Sequence, residues 1–241
     1  MASDSGGTSS IRKPGDAAVT GSIHASSANG NTMGTKRLSG LYAVTDPALT
    51  PPDRILKCVA KAIAGGAQIV QLRDKAATDR DLLFVARALR DLCQGRGAVF
   101  IVNDRPELVL DVDADGLHIG RDDIPPDEAR RIIGPDKILG VSCYGDLDRA
   151  ADMERRGADY VAFGSFFPSP TKPAAPVVDP AILFEAKRRL SIPICAIGGI
   201  TAENAGMLVE RGADMVAVVS DLWRAPDIEA RARSYVRLFG A

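Results

Sequence analysis

From Leu38 onward, short runs of β-branched and other apolar residues alternate with longer stretches whose apolar positions recur every three or four residues. The short runs cover 41–45, 69–72, 99–102, 116–119, 138–142, 160–163, 194–197 and 215–219, and each predicts a strand. The amphipathic stretches 53–64, 79–94, 127–133, 147–156, 179–190, 201–211 and 227–239 predict helices. Strands and helices alternating at this spacing make βα units with a parallel sheet. An internal repeat gives their number. Ala67-Gln68-Ile69-Val70, Ala114-Asp115-Gly116-Leu117, Ala158-Asp159-Tyr160-Val161 and Ala213-Asp214-Met215-Val216 stand 44 to 55 residues apart, about two units each. Gly66, Gly157 and Gly212 precede three of the copies, where a helix C-terminal cap favours glycine. Four quarters of two units make eight strands. The predicted fold is α/β, a single (β/α)8 TIM barrel over 37–241. A doubly wound sheet is disfavoured by the even spacing and by the lack of a GxGxxG turn.

Residues 1–36 break the pattern. Two thirds of these positions are Gly, Ser, Ala, Thr or Asn, too few large apolar groups to offset the entropy of ordering them, so a disordered tail is expected. It lacks the apolar core of a secretory signal, and one Arg beside Asp4 and Asp16 argues against a mitochondrial presequence. Elsewhere composition mainly excludes. Lys and Arg number 30 against 31 Asp and Glu, a net charge of −1 that leaves no net field to attract a polyanion, so a nucleic-acid partner is disfavoured unless the charge is strongly segregated. No apolar run is long enough to span a membrane. Four scattered cysteines without a CxxC suggest neither disulfides nor zinc, and two histidines cannot build a histidine metal site. A cytoplasmic enzyme without a redox metal is expected.

In such a barrel the residues just past each strand face the active site. The second strand runs into Gln71-Leu72-Arg73-Asp74-Lys75, where alternation points Gln71, Arg73 and Lys75 the same way. Asn103-Asp104 follow the third strand, Gly120-Arg121-Asp122-Asp123 the fourth, and Ser142 and Cys143 the fifth. The sixth is followed by 164–173, rich in hydroxyls and carrying Lys172; the seventh runs into Gly198-Gly199 and the eighth into Ser220. Arg73, Lys75 and Lys172 are three cations facing one cavity in a neutral chain, which points to a small polyanion such as a diphosphate. Asp104 and Asp123 fit two roles: Mg2+ ligands completed by water and phosphate oxygens, or caps of the helices that follow them. The nearby cations weigh toward metal, since a diphosphate would bridge both. Gly198-Gly199 and Ser220 occupy the loops where these barrels often hold a phosphate monoester, with Ser169 and Thr171 as further hydroxyl donors. His118 falls inside the fourth strand and reads as a packed barrel histidine, and Cys143 has no histidine to activate it. The predicted chemistry stabilises charge more than it moves protons.

Eight segments carry a family resemblance: LYAVTD (41–46), QLRDK (71–75), VND (102–104), DGLHIG (115–120), LGVS (139–142), FPSPTK (167–172), AIGGI (196–200) and VVS (218–220). In this order, over about 38–240, the chain resembles the thiamine-phosphate synthase family. The resemblance implies a transferase that joins hydroxymethylpyrimidine diphosphate to hydroxyethylthiazole phosphate and releases pyrophosphate, with Mg2+ as cofactor. Carried over by motif, Gln71, Arg73, Lys75, Asn103, Ser142 and Lys172 would hold the pyrimidine diphosphate, with Leu72 and Asp74 in the same segment. Asp104 and Asp123 would ligate Mg2+, and Ser169, Pro170, Thr171, Gly199, Val219 and Ser220 would cradle the thiazole phosphate. Arg73, Lys75, Lys172 and Ser142 are the implied catalytic set. Ser169 stands where the family often has Thr, Tyr144 where many members have His, and the segment before Leu38 has no counterpart. A related thiazole tautomerase binds no diphosphate, and a phosphate-ligand sensor would not need a metal pair opposite three cations, so the charged set favours the synthase over both. The implied partners are the two small-molecule substrates, with no nucleic acid or membrane; homo-oligomerisation stays open.

Overall fold

The structure is a computed structural model that describes residues 38–168 and 176–240. The predicted tail and the segment 169–175 lie outside them. Eight strands, β1 (Gly40–Val44), β2 (Ile69–Leu72), β3 (Val99–Asn103), β4 (Gly116–Ile119), β5 (Ile138–Tyr144), β6 (Tyr160–Phe163), β7 (Ile194–Ile197) and β8 (Met215–Val218), pair in parallel and in chain order. β8 closes on β1, with Gly40 opposite Met215 and Ala43 opposite Val218. The predicted (β/α)8 barrel is thus what the chain forms.

The helices are α1 (Ile55–Ala64), α2 (Asp79–Gln94), α3 (Pro106–Asp111), α4 (Pro126–Ile133), α5 (Leu147–Arg155), α6 (Ala181–Arg189), α7 (Ala205–Glu210), α8 (Ser220–Trp223) and α9 (Ile228–Val236), the last continuing into a 3-10 turn over Arg237–Phe239. α8 is not among the predicted helices and α3 is expected only as the short stretch that Asp104 could cap, because four and six residues are too few to display a period. The predicted helix 201–211 starts late, at Ala205. Asn204 explains this: its side-chain oxygen accepts the Thr201 N–H and its amide donates to the Gly199 carbonyl, tying the would-be first turn to the loop. Other starts follow local chemistry. Thr78 and Asp81 form a capping box on α2, and Asp146 and Asp227 cap α5 and α9. Among the described residues no helix is long and apolar enough to cross a membrane.

Both faces of each strand are buried. One set of alternate residues, including Tyr42, Val44, Ile69, Ile101, Tyr160 and Met215, fills the barrel interior, and the other packs beneath the helices. Two apolar environments make the strands read as continuous apolar runs. The Ala-Asp repeat has its cause at the N-terminal end of the barrel. The carboxylates of Asp115, Asp159 and Asp214 accept the backbone N–H of Phe100, Leu139 and Ile194 at 2.7, 2.7 and 2.8 Å. Each thereby satisfies a donor at the start of the preceding strand. Arg130 and Lys187 pair with Asp159 and Asp214, so these repeats serve stability, on the face opposite the strand ends.

Candidate active site

At the C-terminal ends of the strands opens a cavity of about 570 Å3. Alternation along β2 sends Gln71, Arg73 and Lys75 into it, as expected. It sends Leu72 outward into the core beneath the helices, and the Asp74 carboxylate accepts the N–H groups of Ala76 and Ala77. Neither Leu72 nor Asp74 lines the cavity. The loop after β2 is tied to β1 by the Arg73 backbone N–H, which donates to Thr45 Oγ1 at 2.9 Å. Among the described residues the Arg73 guanidinium has no hydrogen-bond or ion-pair partner, and it lines the cavity.

Lys75 reaches across two strands. Its ammonium lies 2.7 Å from Asp104 Oδ2 and 3.8 Å from Asp123 Oδ1, so both expected metal carboxylates converge on one point. Neither caps a helix: α3 and α4 begin with Arg105 and Pro125 at their N-caps and no side-chain cap bond. Asp104 instead adopts a left-handed backbone (φ 62°), with its N–H donated to the His118 carbonyl, and Asp123 Oδ2 accepts the Gly120 N–H at 2.7 Å. A left-handed non-glycine residue costs of order 1 kcal/mol and persists where surrounding structure fixes it. Burial and then Asp123 hold the Asp104 carboxyl above its ordinary value, with Lys75 opposing. Burial also pushes Asp123 up, but Asp104, the Gly120 N–H and Lys75 outweigh it and leave that carboxyl below its usual range. The donors are hard carboxylate oxygens, which suit Mg2+. Among the described residues no cluster of three or more His, Cys, Asp or Glu cages a metal, so substrate oxygens and water would complete the shell.

The opposite wall is a close approach of the loops after β6 and β7. Gly198 and Gly199 both have positive φ, and a Cβ on Gly199 would lie 2.6 Å from the carbonyl oxygens of Phe167 and Pro168. Only glycine lets the loops after β6 and β7 approach this closely. Val219 and Ser220, at the start of α8, also line the cavity, as do Pro168 and Pro176. The expected site residues Ser169, Pro170, Thr171 and Lys172 lie outside the described residues.

Asn103 ends β3 buried against the cavity, and Ser142 faces it from β5. His118 is buried on β4 with Nδ1 2.8 Å from Tyr160 Oη and Nε2 2.9 Å from Ser142 Oγ, the packed barrel histidine expected. Burial, helped by Arg73 and Lys75 and opposed by Asp123, pushes its pKa down to about 4 from 6.5. Unfolded chains therefore take up this proton first, and stability falls as the pH drops through that window, by ~3 kcal/mol at its lower end. Denaturant melts from pH 7 to pH 4 should show a flatter profile for His118→Asn than for wild type. Equal slopes would remove His118 as the cause. Cys143 points into the outer core, its thiol pushed up to about 12 by burial, so it is no nucleophile.

A sequence model described as thiamine monophosphate synthase matches residues 41–222, from β1 to α8, and takes in every cavity residue named above. The chain belongs to the thiamine monophosphate synthase family. It is 48% identical over 212 residues to the thiamine-phosphate synthase of Marinobacter nauticus, covering 86% of this chain and 95% of that one. With the thiamine-phosphate synthase of Thioalkalivibrio sulfidiphilus it shares 47% identity over 204 residues, 85% of this chain and 97% of the other. Among solved structures, the thiamine phosphate pyrophosphorylase from Pyrococcus furiosus superposes with a TM-score of 0.76 at 35% identity, over 83% of this chain and 95% of that one. The chain is a transferase of this family.

Several cavity residues of this thiamine monophosphate synthase family member escape a reading of strand ends alone. Thr45, Ser165 and Thr201 line the cavity from loops whose course depends on neighbouring strands. Tyr144 also lines it, left-handed (φ 58°) at a register shift in the β5–β6 pairing, with the Arg121 guanidinium 4.5 Å from its ring centre. Tyr42 and Tyr160 are not among the expected site residues, although a phenol facing inward at alternate strand positions signals a buried polar partner.

Proposed function

We propose that this chain couples hydroxymethylpyrimidine diphosphate to hydroxyethylthiazole phosphate, giving thiamine phosphate and pyrophosphate. The observation that carries the reading is the meeting of Arg73, Lys75, Asp104 and Asp123 in one cavity, opposite a glycine turn suited to a second phosphate.

In the reaction the bond between the pyrimidine methylene carbon and the diphosphate oxygen breaks, and the electron pair leaves with pyrophosphate. The aminopyrimidine ring spreads the positive charge until the thiazole nitrogen lone pair forms the new C–N bond. No proton has to move. That fits a site whose buried imidazole has both nitrogens engaged, at Tyr160 and at Ser142. Arg73 and Lys75 hold the charge that builds on the leaving group, and the motif assigns Lys172 to the same task. Mg2+, held by Asp104 and Asp123, would supply further positive charge to the diphosphate oxygens. Gln71, Asn103 and Ser142 orient the pyrimidine. Gly199, Val219 and Ser220, with Ser169 and Thr171 from the motif, receive the thiazole phosphate through backbone N–H groups and hydroxyls. A net charge of −1 favours small-molecule substrates over a nucleic-acid partner, and the enzyme is placed in the cytoplasm as part of this reading.

One mixing experiment tests this. The purified chain, both substrates and Mg2+ should give equal amounts of thiamine phosphate and pyrophosphate, both lost on adding EDTA and restored by excess Mg2+. Binding of thiazole phosphate without either product would point to a tautomerase or a sensor, and the assignment of the cations to a leaving group would be abandoned.

A further inference from the structure

Five side chains from five strands form one hydrogen-bonded chain across the barrel at the floor of the cavity. Gln71 Nε2 donates to Tyr42 Oη at 2.6 Å, the Tyr42 and Tyr160 hydroxyls meet at 2.8 Å, and His118 continues the chain to Ser142 through the two ring contacts given above. Gln71 and Ser142, the ends, line the cavity, as do Tyr42 and His118, while Tyr160 lies beneath them and does not line it. The rings pack closely: Tyr42 and Tyr160 meet edge to face at 6.0 Å, and His118 stacks on Tyr160 at 5.6 Å. β5 makes room for them. A Cβ on Gly140 would stand 2.0 Å from Cζ of Tyr160, so glycine there lets the phenol cross the barrel.

Proton counting gives the chain a direction. Each hydroxyl has one proton to donate. The Gln71 amide fills an acceptor position on Tyr42; with the Tyr42 proton turned to Tyr160 rather than to the cavity, every donor in the chain is used and the Tyr160 proton goes to His118 Nδ1. An accepting Nδ1 places the ring proton on Nε2, which donates to Ser142 Oγ. Among the described residues, the Ser142 proton and the Gln71 carbonyl oxygen are then left for the cavity.

We propose that Tyr42, Tyr160 and His118 are positioning residues that preset Gln71 as an acceptor and Ser142 as a donor toward the pyrimidine substrate. An aminopyrimidine is the complement, with an exocyclic N–H and bare ring nitrogens. A pyrimidine carrying a ring carbonyl in place of the amino group would set oxygen against the Gln71 oxygen and be rejected. The identity of the ligand rests on the function proposed above; the direction of the chain does not.

Two measurements on the full chain separate these points. The chain has two histidines, His24 and His118, so nitrogen NMR of histidine-labelled protein is assigned by the signals lost in His118→Asn. Wild type at neutral pH should show His118 as the neutral form protonated on Nε2. Protonation on Nδ1, or on both nitrogens, overturns the proposal with no reference to activity. Kinetically, Tyr160→Phe should lower kcat/KM for the pyrimidine diphosphate about tenfold and leave KM for the thiazole phosphate unchanged. In a Gln71→Ala/Ser142→Ala background the same change should cost less than about twofold, because the effect runs through these two ends of the chain. Additive losses would make Tyr160 a packing residue and overturn the positioning role. A chain that couples nothing would remove the substrate assignment, and the nitrogen spectrum would still decide the direction.

Discussion

Asparagine in place of Asp104 is expected to lower kcat/KM for coupling by about 10²–10³ while the melting temperature stays at or above that of wild type. The substitution keeps the shape and tolerates the left-handed backbone at this position (φ 62°), so it tests the charge. Asp104 lies 2.7 Å from Lys75 and shares that ammonium with Asp123, so one of two convergent carboxylates is lost. The Mg2+ concentration for half-maximal activity should rise by about 10–100-fold, because one hard anionic ligand is replaced by a neutral amide oxygen. Stability should not fall, for a reason visible in the fold. Burial and Asp123 raise the Asp104 carboxyl despite Lys75, so its ionised form is disfavoured on folding, and the cost grows as the pH rises above the ordinary carboxylate range. A neutral isostere removes that cost. Mg2+ titrations and thermal melts of the same preparation decide the matter. An unchanged Mg2+ dependence with a lower melting temperature would make Asp104 a structural residue. Weaker thiazole phosphate binding alone would reverse the division of the two anion sites.

The second large effect is expected at Arg73. Alanine there should cut kcat/KM for the pyrimidine diphosphate by about 10²–10³, the usual loss on removing one preorganised electrostatic group. Lysine should recover part of it, because the charge returns without the planar fork that binds two phosphate oxygens together. The melting temperature should hold in both variants, since the guanidinium is bonded to no described residue and the loop is fastened by the backbone N–H of Arg73 to Thr45. Steady-state kinetics with pyrophosphate detection measures the effect. A loss of tenfold or less in Arg73→Ala would mean that the guanidinium is not aimed at the leaving group.

Much of this architecture is local and therefore legible along the chain. A parallel strand buried on both faces is a continuous apolar run, and all eight are found within two residues of where those runs fall. Alternation likewise separates Arg73 and Lys75 from Leu72 before any coordinates are known. Contacts between strands are another matter. Whether Asp104 and Asp123 cap their helices or face each other over Lys75 depends on how the loops after β2, β3 and β4 meet. That Tyr42, Tyr160 and His118 join Gln71 to Ser142 depends on which inward residues of β1, β2, β4, β5 and β6 lie at one height. Period two tells which way a side chain points and nothing about the residue it meets across the barrel. That meeting is set by the tilt and stagger of closed strands, a property of the whole sheet that no single segment carries.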